Sequence, residues 1–290
     1  MAYCKKCNKI MFLVFVIASF LSVFPNARAA SVVKTAHLNQ TLVSVGNTVY
    51  YTFGGERFGI PAPSVLFSYG YNFDKVIPAN DFDKAMPINT QSSLSYADGT
   101  IVMVGKEISI VTFPGERRAF ATSQAFTGLG YDFKKSHIVI PEPEYIATFN
   151  AYYKGEPITS ANDAHPEGAL ININGTIYQS LRGKLYGIPN PEVFNSRGFR
   201  WENVVAANAA DKLLPIEPFG SFQFSGGTLV RDTFDGKTVY VISGEKKFGI
   251  ASPSAFMSFG YQWKNVVNGS LLGYPDGGIV FDDFIDYICR

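Results

Sequence analysis

Three pairs of closely spaced carboxylates are the residues of this sequence whose types and spacing could do chemistry. In chain order they are Asp81 with Asp83, Glu142 with Glu144, and Asp232 with Asp235. Two facing carboxylates are enough for glycoside hydrolysis, and clustered carboxylates also bind calcium. Each pair lies in a segment that we interpret as a loop, and none matches the calcium-loop pattern of helix-loop-helix proteins. We interpret these acids as solvated loop residues and assign no catalytic residue to them.

Histidines and cysteines offer little more for catalysis. His37, His137 and His165 lack the spacing of zinc-binding histidines, and no cysteine cluster accompanies them in residues 30–290, so we expect no metal site. No nucleophile elbow, phosphate-binding loop or dinucleotide-binding glycine pattern is present. Cys289 lies in an acidic tail without a nearby base, and we interpret it as a thiol without a chemical role, with an intermolecular disulfide as the alternative. The sequence therefore predicts a protein that is not an enzyme and holds no cofactor.

Residues 1–29 have the pattern of a secretory signal peptide. Lys5, Lys6 and Lys9 give a basic start, residues 10–24 are mainly apolar, and Ala27-Arg28-Ala29 is an A-x-A cleavage signal. The apolar run is short for a membrane span of about 20 residues. We expect cleavage after Ala29, a secreted or cell-surface protein, and no membrane span after cleavage; an uncleaved anchor is the alternative.

The charge of the chain excludes one class of partner. Residues 1–29 hold four basic residues and no acidic one, so their removal turns the net charge of +1 into −3. A weakly acidic chain lacks the basic surface that binds nucleic acid or an anionic membrane. The high share of hydrophobic residues, 47%, supplies a core without disulfides.

An aromatic-rich unit of about 60 residues recurs four times along the chain. Its clearest position is a glycine followed by an aromatic residue, and a second aromatic follows two positions later. The four copies are Gly70-Tyr71 with Phe73, Gly130-Tyr131 with Phe133, Gly198-Phe199 with Trp201, and Gly260-Tyr261 with Trp263. We interpret these aromatics as core residues, with a row of sugar-stacking platforms as the alternative.

Each unit has the same predicted order of elements. A short strand opens the unit, and two β-branched and aromatic runs joined by a glycine turn follow as a hairpin. A helix of about seven residues comes next, because Asn190-Pro191 and Ser252-Pro253 place a capping residue before a proline. Ala62-Pro63 lacks the capping residue. Leu66, Phe126, Phe194 and Phe256 should be the buried contacts of these helices, and a last strand follows each recurring glycine.

The sequence thus predicts a mainly β fold with short helices, built from four tandem strand–hairpin–helix–strand units. Their expected bounds are 38–95, 96–166 (with a linker), 167–224, and 225–290. The last range includes a partial fifth copy of the opening strand at 276–280, which slightly favours an open array over a four-bladed, propeller-like ring. The spacer 142–166 is the candidate hinge between two pairs of units.

The fourth copy carries a resemblance to known repeats. Gly227-Thr228-Leu229-Val230, Gly244-Glu245-Lys246-Lys247-Phe248 and Gly260-Tyr261-Gln262-Trp263 resemble tandem repeats of secreted and cell-surface bacterial proteins, which accompany cell-wall hydrolases or surface-layer-like chains. A weaker likeness is to hemopexin-type propeller units, whose flanking cysteines are absent here. The resemblance implies a non-catalytic role in adhesion or envelope attachment, with cell-wall or surface glycans or another envelope protein as partners.

Two other functions remain open at this point. One is a glycan-acting hydrolase on a propeller scaffold, which should bring several carboxylates into one concave pocket. The other is a subunit of a self-assembling envelope layer, which should form oligomers that depend on concentration. Neither the ligand nor the oligomeric state follows from the sequence.

Overall fold

Four separate five-stranded sheets, each with short helices, make up the described part of the chain. The structure is a computed structural model, and it describes residues 35–281. The predicted signal peptide, Cys4, Cys7 and Cys289 lie outside the described residues. The predicted mainly β fold of four similar units with short helices is confirmed.

The elements of units 1 and 2 follow the chain. Unit 1 contains β1 (Leu42–Val45), β2 (Thr48–Phe53), β3 (Glu56–Gly59), α1 (Pro63–Ser68), β4 (Ile77–Pro78), α2 (Asp81–Ala85) and β5 (Ile88–Asn89). Unit 2 contains β6 (Ile101–Val104), β7 (Glu107–Thr112), β8 (Glu116–Ala119), α3 (Ser123–Gly128), β9 (Ile138–Val139), α4 (Pro143–Asn150) and β10 (Tyr153–Lys154).

Units 3 and 4 repeat this order with one helix each. Unit 3 contains β11 (Leu170–Ile173), β12 (Thr176–Leu181), β13 (Lys184–Gly187), α5 (Pro191–Ser196), β14 (Val204–Ala206) and β15 (Ile216–Ser221). Unit 4 contains β16 (Leu229–Asp232), β17 (Val239–Ser243), β18 (Lys246–Ile250), α6 (Pro253–Ser258), β19 (Val266–Gly269) and β20 (Asp276–Val280). Short 3-10 turns lie at Phe73–Lys75, Trp201–Asn203, Asp211–Leu213 and Trp263–Asn265.

Every sheet has the same topology. In unit 1 the order is β4-β1-β2-β3-β5, where β1, β2 and β3 are antiparallel neighbours and the outer strands β4 and β5 pair in parallel. The predicted opening strand, hairpin and post-glycine strand are therefore present. The second outer strand, which is β5 in unit 1 and β15 in unit 3, is not part of the predicted unit. These strands are only two to six residues long, and their sequences lack the alternating pattern that predicts a strand.

The predicted fifth copy of the opening strand is wrong. Residues Asp276–Val280 do form a strand, but β20 pairs in parallel with β18 as the fifth strand of unit 4 itself. The other three sheets have β5, β10 and β15 at the same place. An Asp-Gly pair before an aliphatic run occurs at both kinds of strand, so the sequence pattern could not distinguish them.

The helices are short and are held by capping and by buried side chains. Thr122, Asn190 and Ser252 accept hydrogen bonds from the backbone N–H three residues later, at 3.1, 2.8 and 3.0 Å. The predicted helix contacts are confirmed, since the four side chains are at most 1% exposed: Leu66, Phe126, Phe194 and Phe256.

Helix α1 has no capping side chain at Ala62, and another unit supplies one. Glu142, which precedes α4 in unit 2, accepts hydrogen bonds from Ser64 N and from Ser64 Oγ. The rest of the spacer also contributes to the core, because Tyr145 and Phe149 of α4 are buried against Tyr96. The candidate hinge thus joins units 1 and 2 through packed side chains.

Shared hydrophobic clusters join the four units in a closed cycle. Val65 of unit 1 packs in one cluster with Val111 of unit 2, and Ile101 of unit 2 packs in another with Val205 of unit 3. Phe194 of unit 3 and Ile242 of unit 4 share a third cluster. The fourth unites β1 and β17 through Val43 and Val241, which are fully buried. The cycle closes between units 4 and 1, as a ring requires and an open array does not.

The cycle has an internal two-fold relationship. His37 and His165, Asp83 and Asp211, and Gly70 and Gly198 are each 128 residues apart, and each pair occupies equivalent places in units 1 and 3. Gly70 and Gly198 also touch each other, both at positive φ, so the backbones of the two units meet there. Units 1 and 2 together therefore correspond to units 3 and 4.

Candidate functional site

The aromatic residue after each recurring glycine belongs to the core. Tyr71, Tyr131 and Tyr261 are 9%, 3% and 6% exposed, and Phe199 is partly buried against Phe194. These side chains pack beside the short helices, as expected from their recurrence with the aliphatic positions. The interpretation of the first aromatic as a core residue holds in all four units.

The second aromatic of each unit is different, because about half of its surface faces solvent. The exposed fractions are Phe73 55%, Phe133 50%, Trp201 50% and Trp263 46%. The interpretation as core is wrong for these four residues. The sequence pattern could not separate the two aromatics, since both recur at every unit and differ only in the direction of the side chain after the turn.

Packing against the helix holds these exposed rings in place. Trp263 stacks on Phe256 with ring centroids 3.9 Å apart and an angle of 15° between the planes. Trp201 stacks on Phe194 at 3.8 Å and 21°, and its indole N–H donates to Asn195 Oδ1 at 3.2 Å. A ring fixed on one side by a buried phenylalanine and exposed elsewhere is a rigid apolar platform that loses little entropy on binding.

In unit 4 the platform lies in a groove of about 500 Å³, here called the unit 4 groove. It runs between the outer part of the sheet and helix α6. Its lining includes Trp263, Phe256, Tyr240, Ile250 and Ile279. Lys237, Thr238, Ser252 and Asp276 add polar groups to the same surface.

Unit 1 has a groove of about 380 Å³ at the same place, here called the unit 1 groove. Phe73 takes the position of Trp263, Leu66 that of Phe256, and Ile60 that of Ile250. Asn47 and Thr48 supply polar groups. The same concave surface, with an exposed aromatic ring beside the helix, is therefore present in two units.

Two of the three histidines form buried pairs with aspartates. Nδ1 of His37 lies 2.6 Å from Asp83 Oδ2, and Nδ1 of His165 lies 2.7 Å from Asp211 Oδ2. The other ring nitrogens face carbonyl oxygens, of Phe259 at 2.9 Å and of Leu129 at 2.7 Å. A carbonyl can only accept, so each Nε2 carries a proton.

These pairs hold units together and leave no free group for catalysis. Burial acts to raise the pKa of Asp83, but the hydrogen bonds and charge of His37 and the backbone N–H of Asn80 lower that pKa overall. The pKa of Asp211 is lowered in the same way. His37 joins unit 1 to the end of α6 in unit 4, and His165 joins unit 3 to the end of α3 in unit 2. The third histidine, His137, bonds through its backbone to the Asn203 side chain.

The carboxylates that the sequence places in pairs do not face each other. Asp83 is buried while the Asp81 carboxylate is 94% exposed and bonds to Lys84. Glu142 caps α1, and Glu144 is exposed on α4. Asp232 is buried and accepts from the backbone of Leu271, whereas Asp235 accepts from Lys237 N and Thr238 N in an exposed turn, which lowers its pKa.

The histidine–aspartate pairs were not predicted, although the sequence holds a signal for them. In both pairs the aspartate follows the histidine by 46 residues. The shared spacing of 46 residues is visible only when units 1 and 2 together are aligned with units 3 and 4 together. The alignment over single units, with periods of 60, 68 and 62 residues between the glycines, hides it.

Within residues 35–281 no three histidine, cysteine, aspartate or glutamate side chains are grouped as metal ligands. No helix in that range has the length and hydropathy needed to cross a bilayer.

Comparisons with known proteins identify no family for the chain. No family model matches it, and no curated protein matches it. Among solved structures, a chain of an intact ESX-5 inner membrane complex is 12% identical, with 86% of this chain and 81% of that chain covered and a TM-score of 0.18. A chain of the periplasmic assembly from the ESX-5 inner membrane complex is 10% identical, with 90% and 96% covered and a TM-score of 0.17. Likeness at these TM-scores carries no argument about fold or function.

Proposed function

We propose that this protein is a secreted, non-catalytic binding protein of the cell surface or envelope, and that its repeated aromatic grooves hold glycan chains. One observation carries the proposal: the same groove, with a half-exposed aromatic ring beside a short helix, lies in units 1 and 4. The exposed rings Phe133 and Trp201 provide the same kind of platform in the other two units.

The chemistry of the groove suits a sugar. The apolar face of a pyranose packs on an aromatic ring, and hydroxyl groups at its edge need hydrogen-bond partners. In the unit 4 groove Trp263 supplies the ring. Lys237 can donate hydrogen bonds, Asp276 can accept them, and Thr238 can do both. A surface with both signs of charge and neutral hydroxyls favours a polyhydroxylated ligand over a purely apolar one.

Repetition of the groove supports a polymeric ligand. One shallow site that binds a few sugar residues is weak, but two or more linked sites on one chain raise the overall avidity when a polymer spans them. A glycan with a repeating structure offers the same epitope to each groove. This argument favours an envelope polysaccharide over a free monosaccharide.

The direct test is retention of the purified protein on insoluble envelope material. Purified peptidoglycan, whole cell-wall fractions and neutral polysaccharides are incubated with the protein, and the bound fraction is measured after washing. We expect retention on at least one fraction and competition by soluble fragments of the same glycan. No retention on any fraction contradicts the proposal.

A further inference from the structure

A cavity of about 200 Å³ lies where units 1, 3 and 4 meet. It is distinct from the grooves and is here called the inter-unit cavity. Its apolar lining comes from Leu42, Ile77, Leu229 and Val267, together with the rings of Tyr71 and Tyr261. The exposed residues Asn195 and Gln262 also line it, so the cavity reaches the surface. An engineered protein cavity of about 150 Å³ binds benzene, so this volume suits a small organic molecule.

A single charged residue lines the inter-unit cavity. This residue is Lys75, which is partly buried. Its ammonium donates to Gly70 O at 3.1 Å and lies 5.6 Å from the centre of the Tyr71 ring, and no carboxylate pairs with it among residues 35–281. Burial lowers the pKa of Lys75. Burying a cation is unfavourable unless an anion compensates it, and no described side chain supplies that anion to Lys75.

The internal two-fold relationship supplies a comparison within the molecule. The equivalent space where units 1, 2 and 3 meet measures about 40 Å³, which is enough for water but not for an organic ligand. There Phe67 stands in place of Asn195, Phe199 in place of Tyr71, and Asn203 in place of Lys75.

In this second space Asn203 stands at the position of Lys75, and its side chain both accepts and donates a hydrogen bond. Asn203 accepts from His137 N at 2.7 Å and donates to His137 O at 3.1 Å, so it ties two units together. At the lysine position, one half of the molecule therefore has a nearly closed space and a hydrogen-bonded asparagine, whereas the other half has an open volume and a lysine without a carboxylate partner. Close packing is the rule in protein interiors, so the open half indicates a site.

We propose that the inter-unit cavity binds a small monocarboxylate with a compact apolar body, of about the size of benzoate. The carboxylate pairs with the ammonium of Lys75, and the apolar body packs against Tyr71 and Tyr261. This site is independent of the glycan grooves, because it shares no lining residue with the groove of unit 1 or of unit 4.

The test is calorimetric titration of the full protein with benzoate and with two analogues. Benzyl alcohol has the aromatic ring but no charge, and acetate has the carboxylate but no ring. We expect benzoate to bind with a Kd below about 1 mM and at least tenfold more tightly than either analogue. Lys75→Met keeps the aliphatic part of the side chain and should weaken benzoate binding at least tenfold. The control is Lys264→Met, because the Lys264 side chain is 56% exposed, and this variant should bind benzoate like the unmodified protein.

A second variant keeps the test decisive if Lys75→Met does not fold. Asn195→Phe places in the cavity the ring that Phe67 provides in the filled half, and it should abolish benzoate binding. Absence of benzoate binding to the unmodified protein overturns the proposal. So does equal affinity for benzyl alcohol, or undiminished binding in a folded Lys75→Met or Asn195→Phe protein.

Discussion

The imidazole of His37 and the carboxylate of Asp83 form a buried pair, with Nδ1 and Oδ2 2.6 Å apart, at the junction between the first and last units. Because Nε2 of the same ring bonds to Phe259 O in unit 4, one side chain joins both ends of the cycle. His165 and Asp211 repeat the arrangement between units 3 and 2. The junction between units 1 and 4 and the junction between units 3 and 2 are thus held by the same two contacts, a histidine–aspartate pair and a hydrogen bond from the histidine to a backbone carbonyl.

Removal of the Asp83 charge should destabilise the protein strongly. Asp83→Asn leaves a buried imidazole without its carboxylate, and breaking a buried pair costs about 3–5 kcal/mol. Urea denaturation at pH 7 should show this loss of unfolding free energy. The exposed neighbour supplies the control, since Asp81→Asn should change the value by less than about 0.5 kcal/mol. Equal stability of the two variants contradicts the role of the pair.

The same pair makes stability depend on acid. The pKa of Asp83 is lower in the folded protein than in the unfolded chain, where it is about 3.9. Its contribution is therefore complete above the unfolded value and is lost as the pH falls through the folded value. The difference in unfolding free energy between wild type and Asp83→Asn should shrink from pH 6 to pH 2.5. A difference that stays constant with pH would show that the effect is not ionic.

The contact between Gly70 and Gly198 should tolerate no side chain. A Cβ at Gly70 would overlap the backbone of Gly198, and the positive φ of 69° adds strain. Gly70→Ala should lower the unfolding free energy by about 2–5 kcal/mol, because overpacking costs about 1–3 kcal/mol and the left-handed backbone adds about 1–2 kcal/mol. Gly54→Ala has a similar φ of 60° but open space around it, so it should cost only about 1 kcal/mol. Equal losses would mean that units 1 and 3 do not meet there.

The capping of α1 by Glu142 should be measurable across the boundary between units 1 and 2. Glu142→Ala removes the acceptor for Ser64 N and Ser64 Oγ, and loss of a helix cap costs about 0.5–2 kcal/mol. Glu144→Ala, which removes an exposed carboxylate from the first turn of α4, two residues further along the chain, is the matched control. Thermal unfolding that is identical for the two variants would rule out the capping role.

A partly buried acid should make the protein less stable at neutral pH. Burial and the nearby charge of Glu167 raise the pKa of Asp98 to about 6. The folded state then favours the protonated form, so stability declines as the pH rises from about 4 through 6. Asp98→Asn should raise the thermal midpoint at pH 7.5 and change it little at pH 4. The exposed Asp163→Asn should have no such pH-dependent effect, and an equal shift for Asp98→Asn at both pH values would contradict the assignment.

Most of the repeating unit could be predicted because its signals are local. Alternating β-branched residues mark the central strands, and the capping residues Asn190 and Ser252 mark the helices. The outer strands beside β3 and β8 could not be predicted, because strands as short as Ile88–Asn89 and Tyr153–Lys154 depend on pairing with a neighbour. The exposure of Trp263 likewise depends on the direction of its side chain after the turn, and the sequence does not specify that direction.

Junctions between units were beyond sequence reasoning for a different reason. Glu142 and Ser64 are 78 residues apart, and His37 and Phe259 are 222 residues apart. One sequence without aligned relatives gives no information on such distant pairs. The inter-unit cavity is likewise visible only in the folded chain, where Lys75, Asn195 and Tyr261 come together.

The most direct test of the glycan proposal is the affinity of groove variants for the envelope glycan that retains the protein. The double variant Phe73→Ala/Trp263→Ala removes both platforms, and Phe234→Ala removes an aromatic ring that is 93% exposed and lies outside both grooves. Circular dichroism confirms that each variant is folded. We expect the double variant to lose at least tenfold in affinity, since stacking of one ring is worth about 1 kcal/mol or more, and Phe234→Ala to bind like wild type. Unchanged affinity in the folded double variant would contradict the account.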